Sequence, residues 1–188
     1  MPYAQEAVPP LVHRVSANPA VFVFRPNRRN PVHRWDDPWG EYGVLYTSAT
    51  EKGSLIETIG DFRRSLDMLA ALQSIDVDDD TTASVTPLKD TIVGSGTIGR
   101  RYLESLYIGA AVTVSGRAVN VTHSESLAEI RIDLASYLVG REFTDLGTDL
   151  ILARDRKLTQ YVSRLAYTDP QEFDAIRCES YYGLDIVN

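Results

Sequence analysis

The sequence predicts a single α+β domain with a mixed or antiparallel sheet core flanked by helices. Short strand-like runs and amphipathic helical stripes both occur along the chain. They do not alternate regularly, as the strands and helices of a doubly wound parallel sheet do. The length of 188 residues and the hydrophobic share of 44% are typical of one globular domain with its own core.

The strand-like segments are short and rich in apolar or β-branched residues. They are 11 to 15, 44 to 46, 73 to 77, 84 to 85, 91 to 93, 111 to 114, 118 to 122, 143 to 146 and 175 to 178. A Ser115-Gly116 turn is expected between two of them. Residues 1–10 are expected to form a loose leader, and residues 11–188 to form the domain.

The helical segments carry apolar residues at helical spacing. They are 49 to 72, 100 to 106, 124 to 138 and 158 to 166. Thr47 or Ser48 is expected to cap the first of them, and Ser124 the third. Gly53 and Gly60 are the positions where this helix is expected to be interrupted, because glycine weakens a helix interior.

The overall charge narrows the function classes. A formal net charge of −7 and a pI near 4.9 argue against direct binding of nucleic acid or of an anionic membrane. Neither a membrane-spanning apolar run nor a signal peptide is visible. Cys178 is the single cysteine, so an internal disulfide and a Cys/His zinc motif are excluded. We expect a cytoplasmic protein without a metal.

The stretch from His33 to Glu57 carries the densest functional signal. It holds both tryptophans of the chain in the sequence Trp35-Asp36-Asp37-Pro38-Trp39-Gly40, which is typical of a turn. A short strand and a capped helix follow at once. A turn, a strand and a helix within so few residues predict the wall of a pocket.

Arg14 and Arg34 are candidate anion-binding residues. Each lies among apolar neighbours, where burying a guanidinium without an anionic partner is costly. The planar fork of arginine suits phosphate or pyrophosphate oxygens. The alternative is that each arginine pairs with one of the many carboxylates of the chain.

Glu57, Tyr46 and Ser180 are ambiguous when each is considered alone. A glutamate on a helix usually lies on its solvated face, a tyrosine at a strand end usually packs in the core, and a serine after a strand usually belongs to a turn. A hydrolase triad of Ser180, His13 and an aspartate lacks the nucleophile-elbow motif. The three histidines show no metal-site spacing.

Gly94-Ser95-Gly96-Thr97-Ile98-Gly99 matches the glycine pattern of a dinucleotide phosphate loop, between a strand-like and a helix-like segment. The following strand, near residues 111 to 114, ends in Ser115-Gly116-Arg117 without an acidic residue to bind a ribose hydroxyl. A flexible glycine-rich connection is the alternative interpretation.

The order of the motifs resembles the RES-domain family, which is named for its arginine, glutamate and serine. Arg34-Trp35-Asp36, Tyr46-Thr47-Ser48 and Glu57 follow the N-terminal pattern of that family. Phe143 to Leu146, Thr159-Gln160 and Phe173 to Ser180 follow its C-terminal pattern. The departures from the pattern are His33 for Gly, Asp36 for Asn, Ala175 for Gly and Cys178 for Tyr. The resemblance covers about 11 to 72 and 142 to 188, and 73 to 141 do not align.

The resemblance implies a fold similar to ADP-ribosyltransferases and a toxin that consumes NAD as its substrate. The reaction would break the nicotinamide–ribose bond, with water, phosphate or a protein accepting ADP-ribose. It implies that Glu57 stabilises the oxocarbenium-like transition state, that Arg14 and Arg34 bind the pyrophosphate, that Tyr46 stacks on the nicotinamide end, and that Ser180 hydrogen-bonds in the same site. Catalysis is assigned to Glu57, Arg34 and Tyr46 together. A cognate antitoxin and a homodimer are the implied partners.

Two alternatives remain at this level. One is a catalytically silent domain of the same fold that acts as an interaction module, and the departures at His33 and Asp36 keep this alternative open. The other is a Rossmann-type NAD-binding protein that uses Gly94 to Gly99.

Overall fold

A computed structural model of the chain describes residues 3–24, 31–63, 66, 69, 96–113, 115–153, 155–180 and 183–187. The strands are β1 (Gln5–Ala7), β2 (Leu11–Ser16), β3 (Tyr107–Val112), β4 (Arg117–Asn120), β5 (Ala175–Arg177), β6 (Glu179–Ser180) and β7 (Gly183–Val187). The α-helices are α1 (Glu51–Ile59), α2 (Arg100–Glu104), α3 (Ser124–Asp133), α4 (Ala135–Gly140), α5 (Thr148–Leu152) and α6 (Arg156–Thr168).

The strands form three small sheets. In the first, of order β1-β4-β5, β1 is antiparallel and β5 parallel to β4. The second pairs β2 with β3 antiparallel, from Leu11 opposite Val112 to Ser16 opposite Tyr107. The third pairs β6 with β7 antiparallel. The predicted α+β class with mixed and antiparallel sheets is therefore confirmed.

The expectation of a loose leader is wrong for its central residues. Gln5 to Ala7 form β1 on the edge of the first sheet, with Gln5 opposite Val119 and Ala7 opposite Arg117. Tyr3 is buried in the core, and its hydroxyl donates a hydrogen bond of 2.6 Å to Asp133. The short polar sequence of this segment has no strand-like alternation of its own. Its pairing with β4 therefore accounts for the strand.

The first helix is shorter than predicted. It begins after Thr50, whose Oγ1 accepts a 3.0 Å hydrogen bond from the amide of Gly53, so the cap is Thr50 rather than Thr47 or Ser48. It ends at Ile59 and continues as one 3₁₀ turn over Gly60–Phe62. Beyond residue 63, the described Leu66 and Leu69 are helical.

The predicted helix over 124 to 138 is two helices. α3 and α4 meet at Leu134, whose φ of −102° and ψ of 14° depart from helical values. The cap is His123 rather than Ser124, because the His123 ring nitrogen accepts a 3.3 Å hydrogen bond from the amide of Glu125. The predicted stripe is confirmed, since Ile130, Leu134 and Leu138 are buried.

Two predicted strands do not form. Residues 44 to 46 run toward a single bridge between Ser48 and His13, without a strand partner. Residues 143 to 146 are a loop between α4 and α5, where Leu146 packs in the core without strand pairing. The predicted strands at 73 to 77, 84 to 85 and 91 to 93 lie outside the described residues.

The predicted segments at 11 to 15, 100 to 106, 158 to 166 and 175 to 178 are confirmed as β2, α2, α6 and β5. The segments at 111 to 114 and 118 to 122 overlap β3 and β4. These two strands belong to different sheets, so the Ser115-Gly116 connection does not close a hairpin.

The core lies where the first sheet meets the helices. Its members are apolar side chains from β4 and its C-terminal end, α3, α5, α6 and the Trp-rich turn: Val119, Val121, Ile130, Ile151, Leu158, Val162 and Trp35 among others. Burying each large side chain contributes roughly 1.5–3 kcal/mol. Trp35 therefore anchors the predicted turn to α6. Among the helices that the structure describes, none is long and apolar enough to cross a membrane.

Candidate functional site

A cleft of about 1060 Å³ brings four of the five candidate residues together. Arg14, Arg34, Tyr46 and Glu57 all line it, although they lie on β2, the turn, the segment after the turn, and α1. The volume is at the upper end of the range for small-molecule sites. The fifth candidate, Ser180, contacts Glu57 directly.

Glu57 is placed in the cleft by one face of α1. Ser54, Glu57 and Thr58 line the cleft and follow helical spacing, and Asp61 in the 3₁₀ turn that follows also lines it. The start of this helix is tied to β2, because Ser48 and His13 exchange two backbone hydrogen bonds of 2.8 Å. That bridge lies next to Arg14, so the glutamate and the arginine are held by connected elements.

Ser180 donates a hydrogen bond from its hydroxyl to the carboxylate Oε1 of Glu57. Ser180 lies on β6 and is only 3% exposed, so it lies at the buried side of the carboxylate. A hydrogen bond from a hydroxyl to a carboxylate fixes the orientation of the side chain. This contact therefore holds the Glu57 carboxylate in place where it lines the cleft.

Arg34 enters the cleft from the turn. Its terminal nitrogen donates to the carbonyl of Ile151, in the last turn of α5, and its guanidinium carbon lies 5.7 Å from the centre of the Trp35 ring. The Nε of Arg34 is buried and has no hydrogen-bond partner within the described part of the chain. Such a donor is costly to leave unsatisfied, so an anionic or carbonyl oxygen in the cleft would stabilise it.

The hydroxyl of Tyr46 closes the turn. It accepts a 2.8 Å hydrogen bond from the amide of Trp35 and donates one of 3.4 Å to Asp36. Burial of the hydroxyl raises the pKa of Tyr46 well above its ordinary value. The side chain as a whole is 37% exposed, so part of the ring remains available to a ligand. The hydroxyl thus has a structural role, and the ring is the part suited to stacking.

The side chain of Asp36 also forms hydrogen bonds with the backbone of the turn. Its Oδ2 accepts hydrogen bonds from the amides of Val32 at 2.9 Å and His33 at 2.8 Å. An asparagine side-chain oxygen can accept the same two bonds. Asp36 therefore supplies the acceptor that shapes this turn, as an asparagine at this position would.

Asp37 is 2% exposed and shapes the next part of the chain. Its carboxylate accepts from the amides of Trp39 at 3.3 Å, Glu41, and Tyr42 at 3.4 Å. It also lies 3.8 Å from the Arg164 guanidinium on α6. A buried carboxylate with these donors and this cation makes the turn rigid.

One face of α6 holds the turn in place. Gln160 donates to the carbonyl of His33 at 3.0 Å, and Ser163 donates to the carbonyl of Trp35 at 2.8 Å. Arg156 donates to the carbonyl of Val32 at 2.9 Å. These positions follow helical spacing, so a single helix face satisfies the backbone carbonyls of the turn.

Sequence reasoning missed the structural role of Asp37, Arg156, Ser163 and Arg164. The available signal was the polar stripe at 156, 160, 163 and 164 on a helix that otherwise packs in the core. Gln160 and Ser163 of this stripe are buried and therefore require polar partners, which the backbone carbonyls of the Trp-rich turn provide. The pairing of the two segments could not be deduced from spacing alone.

Cys178 lines the cleft beneath these groups and is 7% exposed. Burial raises the pKa of its thiol to about 11, with nearby Arg34 acting in the opposite direction. The side chain is therefore a neutral thiol near neutral pH and packs as a small apolar group.

The glycine-rich segment lies outside the cleft lining, as far as it is described. Gly94 and Ser95 fall outside the described residues. The amide of Gly96 donates a 2.7 Å hydrogen bond to the carbonyl of Phe62, so this group is not available to a phosphate. The following helix, α2, has only five residues.

Among the residues described, no three His, Cys, Asp or Glu side chains cluster in a way that could hold a metal ion. Comparisons of the chain with protein-family models, with curated proteins and with solved structures found no match.

Proposed function

We propose that this protein is a RES-type enzyme with an ADP-ribosyltransferase-like fold that cleaves the nicotinamide–ribose bond of NAD. The observation that carries the proposal is the shared location of Arg14, Arg34, Tyr46 and Glu57 in one cleft, with Ser180 bound to the glutamate. These residues are far apart in the chain, and the resemblance implies that all five serve one site.

The chemistry of the cleft supports this reaction. Breaking an N-glycosidic bond develops positive charge on the ribose ring, and a fixed carboxylate stabilises that charge. Glu57 supplies the carboxylate, and the Ser180 hydroxyl holds it in place. Because the nicotinamide leaves as a neutral base, no general acid is required at that atom.

The arginines suit the other half of the substrate. Arg14 and Arg34 line the same cleft, and a pyrophosphate oxygen would satisfy the buried Nε of Arg34. The Tyr46 ring stacks on the nicotinamide end, while its hydroxyl keeps the turn closed. The cleft thus has an anion-binding part at Arg14 and Arg34 and a reacting part at Glu57.

The acceptor of ADP-ribose defines the reaction class. Incubating the purified protein with NAD and resolving the products, with and without phosphate and with cell lysate, separates hydrolysis, phosphorolysis and protein modification. The expected result is release of free nicotinamide by the wild type and a loss with Glu57→Ala. Equal NAD loss in the wild type and in Glu57→Ala would overturn the proposal and leave the silent interaction module as the better account.

The proposal extends to a toxin that acts in the cytoplasm and is restrained by a cognate antitoxin covering the cleft. Expression of the wild type is expected to lower cellular NAD and stop growth, whereas Glu57→Ala is expected to be tolerated. Growth arrest by both proteins at equal abundance would contradict an NAD-based toxicity.

A further inference from the structure

Four side chains beside the turn form a stacked series, which we call the aromatic ladder: Tyr42, Tyr167, Arg164 and Trp39. The rings of Tyr42 and Tyr167 are stacked, with centroids 4.1 Å apart and planes 22° apart. The Arg164 guanidinium lies 5.4 Å from the Tyr167 ring and 4.4 Å from the Trp39 ring. The cation therefore joins the stacked tyrosines to the tryptophan.

Polar contacts hold two members of the ladder, Arg164 and Tyr42, in place. Arg164 forms an ion pair with Glu41 and lies 3.8 Å from the buried Asp37. The hydroxyl of Tyr42 is 2.8 Å from Ser163, and burial raises the pKa of Tyr42 to about 12. Since the guanidinium and the tyrosine hydroxyl are both held, the ladder is preorganised for binding.

Trp39 ends the ladder with an exposed ring. Arg164 covers one face of the indole, yet the residue is 59% exposed. The core contact of this turn is made by the other tryptophan, Trp35, which is 6% exposed. Packing in the hydrophobic core therefore does not account for Trp39. A rigid, exposed indole with one face already stacked is suited to receive a second planar group on the other face.

The ladder borders the cleft. Tyr42, Tyr167 and Asp37 line it. Trp39 lies just outside this lining, and its amide donates a 3.3 Å hydrogen bond to the carboxylate of Asp37. The remainder of the lining supplies the arginines and Glu57. A ligand that fills this volume and has an anionic middle can therefore place a second planar end beside Trp39.

We propose that Trp39 stacks on the adenine base of the dinucleotide, which makes it a substrate-binding residue for the half of NAD that does not react. This inference rests on the proposed function, and it adds the position of the base. Stacking of a base on an aromatic side chain depends on the π-face and not on hydrogen bonds, so other purines are expected to be accepted.

The direct test uses binding and does not require turnover. The chain has two tryptophans, so Trp39→Phe leaves Trp35 as the single indole. Addition of AMP is expected to quench the tryptophan fluorescence of the wild type. Ribose 5-phosphate, which lacks the base, is expected to leave this fluorescence unchanged. The difference between the two probes is expected to disappear in Trp39→Phe. Equal quenching of the wild type by both probes, or by neither, would overturn the inference.

A kinetic comparison tests the same contact during turnover. Trp39→Ala is expected to raise KM for NAD roughly tenfold with little change in kcat. Its kcat/KM for nicotinamide mononucleotide, which lacks the adenine half, is expected to be unchanged. Val139→Ala serves as a matched control, because Val139 is also an exposed apolar residue and no residue of its helix, α4, lines the cleft.

The outcomes separate the two claims. If neither substrate releases nicotinamide with the wild type, the proposed function fails, while the AMP experiment still decides the role of Trp39. If Trp39→Ala impairs both substrates equally, or impairs neither, the stacking inference fails and the proposed reaction stands. Trp39→Phe keeps an aromatic face and is expected to recover most of the KM effect.

Discussion

The two walls of the cleft use their polar side chains in opposite ways. On the turn wall, residues 32 to 46, Asp36, Asp37 and the Tyr46 hydroxyl bind backbone groups of the turn itself. On the helix wall, α1, the carboxylate of Glu57 meets a hydroxyl from a distant strand and lines the cleft.

This difference separates the groups that build the site from the groups that are suited to act in it. The turn wall is also held by α6, whose side chains bind its carbonyls. Changes there are expected to lower the free energy of unfolding. Changes to Glu57 are expected to lower activity with little effect on folding, because the residue is half-buried and its main-chain contacts belong to a capped helix.

The largest expected effect on stability is that of Asp37→Ala. Removing this buried carboxylate leaves three backbone amides without their acceptor and takes one of two anions away from Arg164, which costs about 3–5 kcal/mol. Urea unfolding monitored by circular dichroism measures this loss. Asp145→Ala is the control, since its pair with Arg131 is exposed on both sides and is worth less than about 1 kcal/mol. Similar losses in both variants would contradict a structural role specific to Asp37.

Alkaline pH is expected to destabilise the protein through Cys178. Its thiol has a pKa near 9 when unfolded and about 11 when folded, so the folded state binds the proton more tightly. The stabilisation is complete below pH 9 and is lost as the pH rises from 9 to 11, a total of roughly 2–3 kcal/mol. Unfolding free energies of wild type and Cys178→Ala, measured under reducing conditions across this range, isolate the contribution. Parallel curves for the two proteins would show that the thiol keeps its ordinary pKa.

Tyr46→Phe is expected to have a smaller effect on the free energy of unfolding. It tests whether the hydroxyl has a structural role and the ring a binding role. Loss of the hydroxyl leaves the Trp35 amide without its partner and costs about 1–2 kcal/mol. The ring is retained, so kcat is expected to fall less than about threefold if the ring stacks on the substrate. A hundredfold fall in kcat with unchanged stability would instead mean that the hydroxyl takes part in the reaction.

Sequence patterns predicted the elements whose signal is local. The alternation in β2 and the apolar stripes of α3, α4 and α6 report burial directly, so these segments were found close to their observed positions. The cap is Thr50 and not Ser48, since the backbone of Ser48 pairs with His13 and its Oγ accepts a 3.4 Å hydrogen bond from the amide of Thr50. A competing long-range contact of this kind leaves no mark in the local sequence.

The order of the motifs predicted the candidate residues, but it did not predict the contacts that hold the turn in place. Arg14, Arg34, Tyr46 and Glu57 meet in the cleft, as expected of residues that serve one ligand. The docking of the turn on α6 depends on the tertiary pairing of Ser163 and its neighbours with backbone carbonyls. Spacing identifies a helix face that carries polar groups, but it does not identify the segment that receives them.

The most direct test of the account is a paired measurement on Glu57→Gln. The amide keeps an oxygen that can accept the Ser180 hydrogen bond but removes the negative charge. We predict that nicotinamide release from NAD falls at least about a hundredfold, while the unfolding free energy changes by less than about 1 kcal/mol. Glu51→Gln, an exposed change on the same helix, is expected to retain activity. Full activity of Glu57→Gln, or a loss explained by unfolding, would contradict the assignment of this carboxylate to the reaction.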